Sequence, residues 1–165
     1  MRFARTAVTT LLVASAINLA LMVPGGFVET RDFSAYSPLV LGAFNVFLTV
    51  LGLGSLVLAY AVFRTGRLAG LAGLAGLGFV AVYLLDLGRI FPVPPEPMSA
   101  VLATLEWIGT VLGAALVIAA YLSARHSGAS TGDVQAPKPS MPALVGLAAI
   151  ALVIVAFATK SAMGV

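Results

Sequence analysis

Long apolar stretches separated by short polar breaks run through the whole sequence. A helix that crosses a bilayer needs roughly 20 mostly apolar residues. Five stretches reach that length, at 6–23, 39–63, 68–91, 100–122 and 143–163. Their ends carry helix punctuation. Pro24-Gly25-Gly26 stops the first, Ser37-Pro38 caps and starts the second, and Ser99 caps the fourth. The third ends near Phe91-Pro92 and the fifth begins beside Pro142. The pattern predicts an all-α integral membrane protein with five transmembrane helices.

Arg2 and Arg5 ahead of the first run also resemble the start of a secretory signal peptide, with Ala14-Ser15-Ala16 as a cleavage motif. That motif falls too early in the run, so the stretch is read as a retained span.

The connections differ in kind. Segments 64–67 and 92–98 are tight, which makes spans two, three and four antiparallel neighbours. Segment 124–142, rich in Ser, Gly, Ala and Pro, reads as a flexible inner linker. The predicted organisation is a four-helix transmembrane unit over 1–123, that linker, and a more loosely attached fifth helix in 143–165. Short cytoplasmic loops retain Lys and Arg. An inside amino terminus puts Arg2, Arg5, Arg64, Arg67, Arg125 and Lys138 on the cytoplasmic side, six of the nine basic residues. The expected location is the plasma (inner) membrane, multi-pass, with the carboxyl terminus outside.

Composition narrows the chemistry. The chain is 61% hydrophobic and 9% charged, against about 25% charged in soluble domains, which rules out a water-soluble fold. With no cysteine, thiol, disulfide and iron–sulfur chemistry are excluded. A single histidine, His126, cannot supply paired haem ligands. No cofactor and no metal site is expected. The net charge of +3 forms no basic stripe, so it reads as topology, with no nucleic acid as partner.

Small residues recur where helices can approach closely: glycines 70, 73, 76 and 78 in span three, Gly109 and Gly113 in span four, Gly52 and Gly54 in span two. Close packing within the bundle is the simpler reading. A homo-oligomer or a membrane-complex partner docked through these glycine faces is the other. Trp107, Tyr36, Phe33 and Phe91 mark an outer aromatic belt, and Tyr60 and Phe63 an inner one. Lys160 reads as an interface lysine that snorkels.

Ionisable groups at membrane depth cost about 2.5–3.5 kcal/mol each on insertion scales and are functional candidates by default. Helical rise of about 1.5 Å per residue puts Asp86 and Glu106 at nearly one level below the outer surface, with Arg89 closer to it. Asn18 and Asn45 fall at a similar depth, so four spans each contribute one strong polar group to a common layer. Glu106 shares a helix face with Gly109 and Gly113 and is expected to point into the bundle. Glu29, Arg31 and Asp32 in the first outer loop are placed to fold over the layer as a lid.

Two readings of the layer stay open. In one, Arg89 neutralises Asp86 or Glu106, the asparagines satisfy the rest, and the network only fixes helix register. In the other, Asp86, Glu106, Arg89, Asn18 and Asn45 form a ligand site open to the outside, for a cation, a proton or a polar lipid group. The inner half carries no charge leading to the cytoplasm, which argues against a continuous pore. Two carboxylates without a recognisable nucleophile or metal triad make a membrane enzyme the third reading, after ligand binding or transport and after an accessory subunit of a larger membrane complex.

Overall fold

A computed structural model of the protein describes residues 2–126 and 140–164, and every regular element among them is helical. The helices are α1 (Arg2–Ala20), α2 (Pro38–Thr65), α3 (Ala69–Leu87), α4 (Ala100–His126) and α5 (Met141–Ala162). All five are long and apolar enough to span a membrane. The predicted linker falls mostly on 127–139, outside the described residues.

Local chemistry explains the ends. Pro38 opens α2 with its fixed φ, and the Ser37 hydroxyl accepts from the Val40 N–H at 3.3 Å. Ser99 does the same for α4, accepting from the Leu102 N–H at 3.1 Å. Gly66 closes α2 in the left-handed conformation, φ 68°, which a side chain would strain.

Three boundaries differ from the sequence expectation. α1 begins at Arg2 and ends at Ala20, because nothing in the first turn breaks a helix while Pro24 and the glycines after it pull the chain out early. α4 runs on to His126. α3 stops at Leu87 instead of continuing to Phe91, since the backbone turns at Gly88 and Arg89 takes φ 53°. Residues 88–97 are therefore an irregular cap, and Arg89 does not continue the face of α3 that carries Asp86.

α3 packs most extensively on α4, α1 packs on α2 and α4, and α5 packs on α2 alone. Glycine makes the α3–α4 approach possible: a Cβ on Gly76 would sit 2.9 Å from the Gly113 carbonyl oxygen, and one on Gly113 would sit 3.0 Å from that of Gly76. Gly42, Gly54, Gly70 and Gly146 face open space. The shared core includes Val8, Leu12, Phe79, Tyr83 and Leu116. Only 6% of the apolar stretch of α5 is buried, against 28% for each of the other helices.

At the end carrying loop 24–37, several bonds tie the cap together. The Phe33 N–H donates to the Ala162 carbonyl at 3.0 Å, fixing the first loop to the end of α5. The Tyr36 hydroxyl accepts from the Val93 N–H at 2.8 Å, and Glu96 accepts from the Asp32 N–H at 3.1 Å, joining loop 24–37 to the segment after α3. At the opposite end Arg5 lies over the Phe63 ring and Arg64 over Tyr60.

Candidate functional site

The first loop supplies the central cation. Arg31 turns inward and is buried together with Glu29 and Asp86. Its Nη1 donates to Asp86 Oδ1 at 3.0 Å and its Nη2 to Asp86 Oδ2 at 2.6 Å, a two-point clamp on the last turn of α3. The same guanidinium holds Glu29, through Nε to Oε1 at 2.9 Å and Nη2 to Oε2 at 2.6 Å. Burial opposes charge on Arg31, but the bonds from Glu29 and Asp86 outweigh it and hold the guanidinium protonated above its usual range. Phe33 closes over it, with the guanidinium 5.4 Å from the ring centroid.

Glu106 enters from α4 and is 3% exposed. It lines the same cavity as Asp86, Arg31 and Glu29. Its Oε2 has no hydrogen-bond partner. Arg31 has already committed its donors to Glu29 and Asp86, so the cluster sets three carboxyls against one guanidinium. A buried carboxyl oxygen without a partner is costly, and such atoms are rare in folded proteins.

These groups line a cavity of about 60 Å³ whose walls include Glu29, Arg31, Asn45, Tyr83, Asp86 and Glu106. A second pocket of about 140 Å³, a vestibule lined by Arg89, Glu96 and Met98, meets it at Arg31, Asp86 and Pro92, which belong to both walls. The Arg31–Asp86 pair is thus the partition between them.

The structure gathers most, but not all, of the residues singled out from sequence. Asp86, Glu106 and Asn45 line the same cavity. Asn18 lies beside it, its amide donating to the Tyr83 hydroxyl at 3.2 Å and to the Leu105 carbonyl at 3.1 Å, which links α1, α3 and α4 at one level. Asn45 donates outward, to Thr159 on α5 at 3.1 Å. In the structural-network reading Arg89 neutralises Asp86, three residues before it, or Glu106. With α3 ending at Leu87, Arg89 is exposed in the vestibule and Arg31 takes that role. Of the predicted lid, Glu29 and Arg31 fold in. Asp32 is exposed and accepts from the Ser34 N–H at 2.7 Å in a local turn, because a carboxylate can satisfy itself there without burial.

Tyr83 is the member that sequence reading missed. Its spacing of three residues from Asp86 puts both on one face of α3, and that periodicity was the available signal. Gly109 makes room for it, since a Cβ there would run into the Tyr83 ring and the Asn18 amide.

The site as built sets buried carboxyl oxygens of Glu29, Asp86 and Glu106 around one guanidinium. Among the described residues no group of three or more His, Cys, Asp or Glu is arranged to hold a metal ion. No curated protein and no solved structure matches the chain. A family model described as a domain of unknown function, DUF8051, matches residues 4–134, a stretch that takes in α1 from its third residue through the whole of α4, and the chain belongs to that family.

Proposed function

We propose that this is a polytopic membrane protein that binds a small cationic group in the cavity beneath its first outer loop, with Glu106 as the anionic contact. The observation that carries the reading is the Glu106 carboxyl, 3% exposed, lining a cavity with Oε2 unpartnered while the Arg31 guanidinium in the same wall is bonded to Glu29 and Asp86. A network serving only helix register has little use for an unpaired buried acceptor, whose desolvation it would have to offset. Asp86 is the positioning residue: it anchors Arg31, which keeps loop 24–37 closed over the cavity.

The ligand is a proton, a monovalent cation or a protonated amine. The cavity lies beneath loop 24–37, and we place that loop on the outer face of the plasma membrane with the amino terminus inside, the arrangement that puts most basic loop residues in the cytoplasm. Transport would need a route through the inner half, where the described buried polar residues are Ser15, Thr49, Ser55 and Ser123 and none is charged.

Thermal unfolding of the purified protein in a nonionic detergent, read by Trp107 fluorescence, tests this. Methylammonium is expected to raise the midpoint saturably at constant ionic strength, as a ligand of the folded state must. Glu106→Gln should remain folded and lose the response. An unchanged response in Glu106→Gln, or a midpoint drop of many degrees with no response in either protein, would assign the layer to structure alone.

A further inference from the structure

The cavity has a second neighbour. α1 and α5 both pack on α2 and not on one another, which leaves a cleft of about 110 Å³ between them. Its walls are Ala16, Ala20, Leu53, Leu56 and Ile154 among others, and they are almost wholly apolar. Leu19, Met22, Pro24, Asn45 and Leu48 line both the cleft and the charged cavity, so the two adjoin along one wall. α5, the outer flank of the cleft, is the least buried helix and presents its sides to lipid. Toward the vestibule, by contrast, the cavity is shut by the Arg31–Asp86 clamp.

We infer that the ligand is a membrane-borne amine: an alkylammonium amphiphile whose charged head sits against Glu106 and whose tail lies in the α1–α2–α5 cleft. The inference rests on the cation-binding reading above and names its ligand class and its route of entry. Charge complementarity selects the head. Glu29, Asp86 and Glu106 share the cavity with the one guanidinium of Arg31, a setting of carboxyl oxygens that accepts from an ammonium and disfavours the phosphate or sulfate of an anionic lipid. Cavity size agrees, since about 60 Å³ leaves room for an ammonium or methylammonium-sized group. The apolar cleft continuing from it accommodates an alkyl chain, which a purely ionic ligand would not need.

The test uses the full chain in a nonionic detergent and three probes of equal chain length, octylammonium, octanol and octyl sulfate, together with methylammonium. Octylammonium should raise the unfolding midpoint of the unmodified protein, whereas octanol and octyl sulfate should not. Ala20→Phe places a ring in the cleft from an exposed position at the end of α1, and should raise the octylammonium concentration needed for half the effect by roughly tenfold or more, a factor that corresponds to about 1.4 kcal/mol. Leu74→Phe, on an exposed face of α3 away from the cleft, should leave it unchanged. If Ala20→Phe responds to octylammonium as the unmodified protein does, while methylammonium still acts through Glu106, the amphiphile is overturned and the small-cation reading stands. If octanol equals octylammonium, or Glu106→Gln responds to both amines undiminished, both fall. The comparison of octylammonium with octanol needs no variant, so it decides the point even if Glu106→Gln does not fold.

Discussion

Arg31 shows how a single side chain can be indispensable without being a ligand contact. It satisfies two buried carboxylates at once, so removing it leaves both Glu29 and Asp86 without their cation. Loss of one partner from a buried pair typically costs about 3–5 kcal/mol, whereas replacing the whole pair with apolar groups costs far less. Arg31→Met should therefore lower stability by about 3 kcal/mol in chemical unfolding, and adding Glu29→Gln and Asp86→Leu should recover a large part of it. Gly109→Ala tests the other side of the layer. Its Cβ meets the Tyr83 ring and the Asn18 amide, and displacing them should cost about 1–3 kcal/mol, with hydrogen–deuterium exchange rising first at the end of α1 and the middle of α4. The acidic members of the site were legible because charges inside apolar runs are conspicuous. Their cation was not, because Arg31 lies 55 residues from Asp86 in the chain. A nearer arginine on the same predicted helix offered an equally good local solution. What decides between Arg31 and Arg89 is a helix end at Leu87, and the sequence marks that only by Gly88, one glycine among many.

Among the elements, α5 stands apart. It meets the rest through α2, through the bond from Asn45 to Thr159, and through the Phe33–Ala162 backbone bond, while the other helices share a core. Polar bonds between membrane helices average about 0.6 kcal/mol. Asn45→Leu should thus leave the global unfolding midpoint within a few degrees yet speed exchange in α5 well before α1–α4, as mass-resolved hydrogen–deuterium exchange would read. The family match points the same way, since it ends at residue 134 and leaves α5 outside it. The five spans themselves were readable from length and hydropathy alone, as backbone groups in lipid leave no alternative to a helix in an all-apolar run. Their ends were readable where a side chain caps them, as at Ser37 and Ser99. The end of α3 was misplaced because the chain turns at Gly88 and Arg89, and the sequence marks that turn only by one glycine among many. Which helix α5 touches was beyond the pattern, because an apolar face in lipid carries no direction.

For the whole molecule, the membrane orientation links the site to its source of ligand. If loop 24–37 faces outward, Glu106 samples the outer leaflet, and an amine entering between α1 and α5 comes from that leaflet. With the opposite orientation the same geometry would draw on the cytoplasmic leaflet and the positive charges of Arg5, Arg64 and Arg67 would lie outside, against the usual retention of basic loops in the cytoplasm. The absence of cysteine makes the question clean to settle, since any introduced thiol is the only one in the chain. Ala35→Cys, exposed in the first loop, and Gly66→Ala paired with Thr65→Cys would not be equivalent probes, because Gly66 needs its positive φ. Thr65→Cys alone keeps that glycine and marks the opposite end of α2. In intact cells a membrane-impermeant maleimide should label Ala35→Cys and spare Thr65→Cys, with both labelled after the membrane is opened. Labelling of Thr65→Cys alone in intact cells would invert the molecule, leave the cavity and its chemistry as they are, and move the supply of its ligand to the other side.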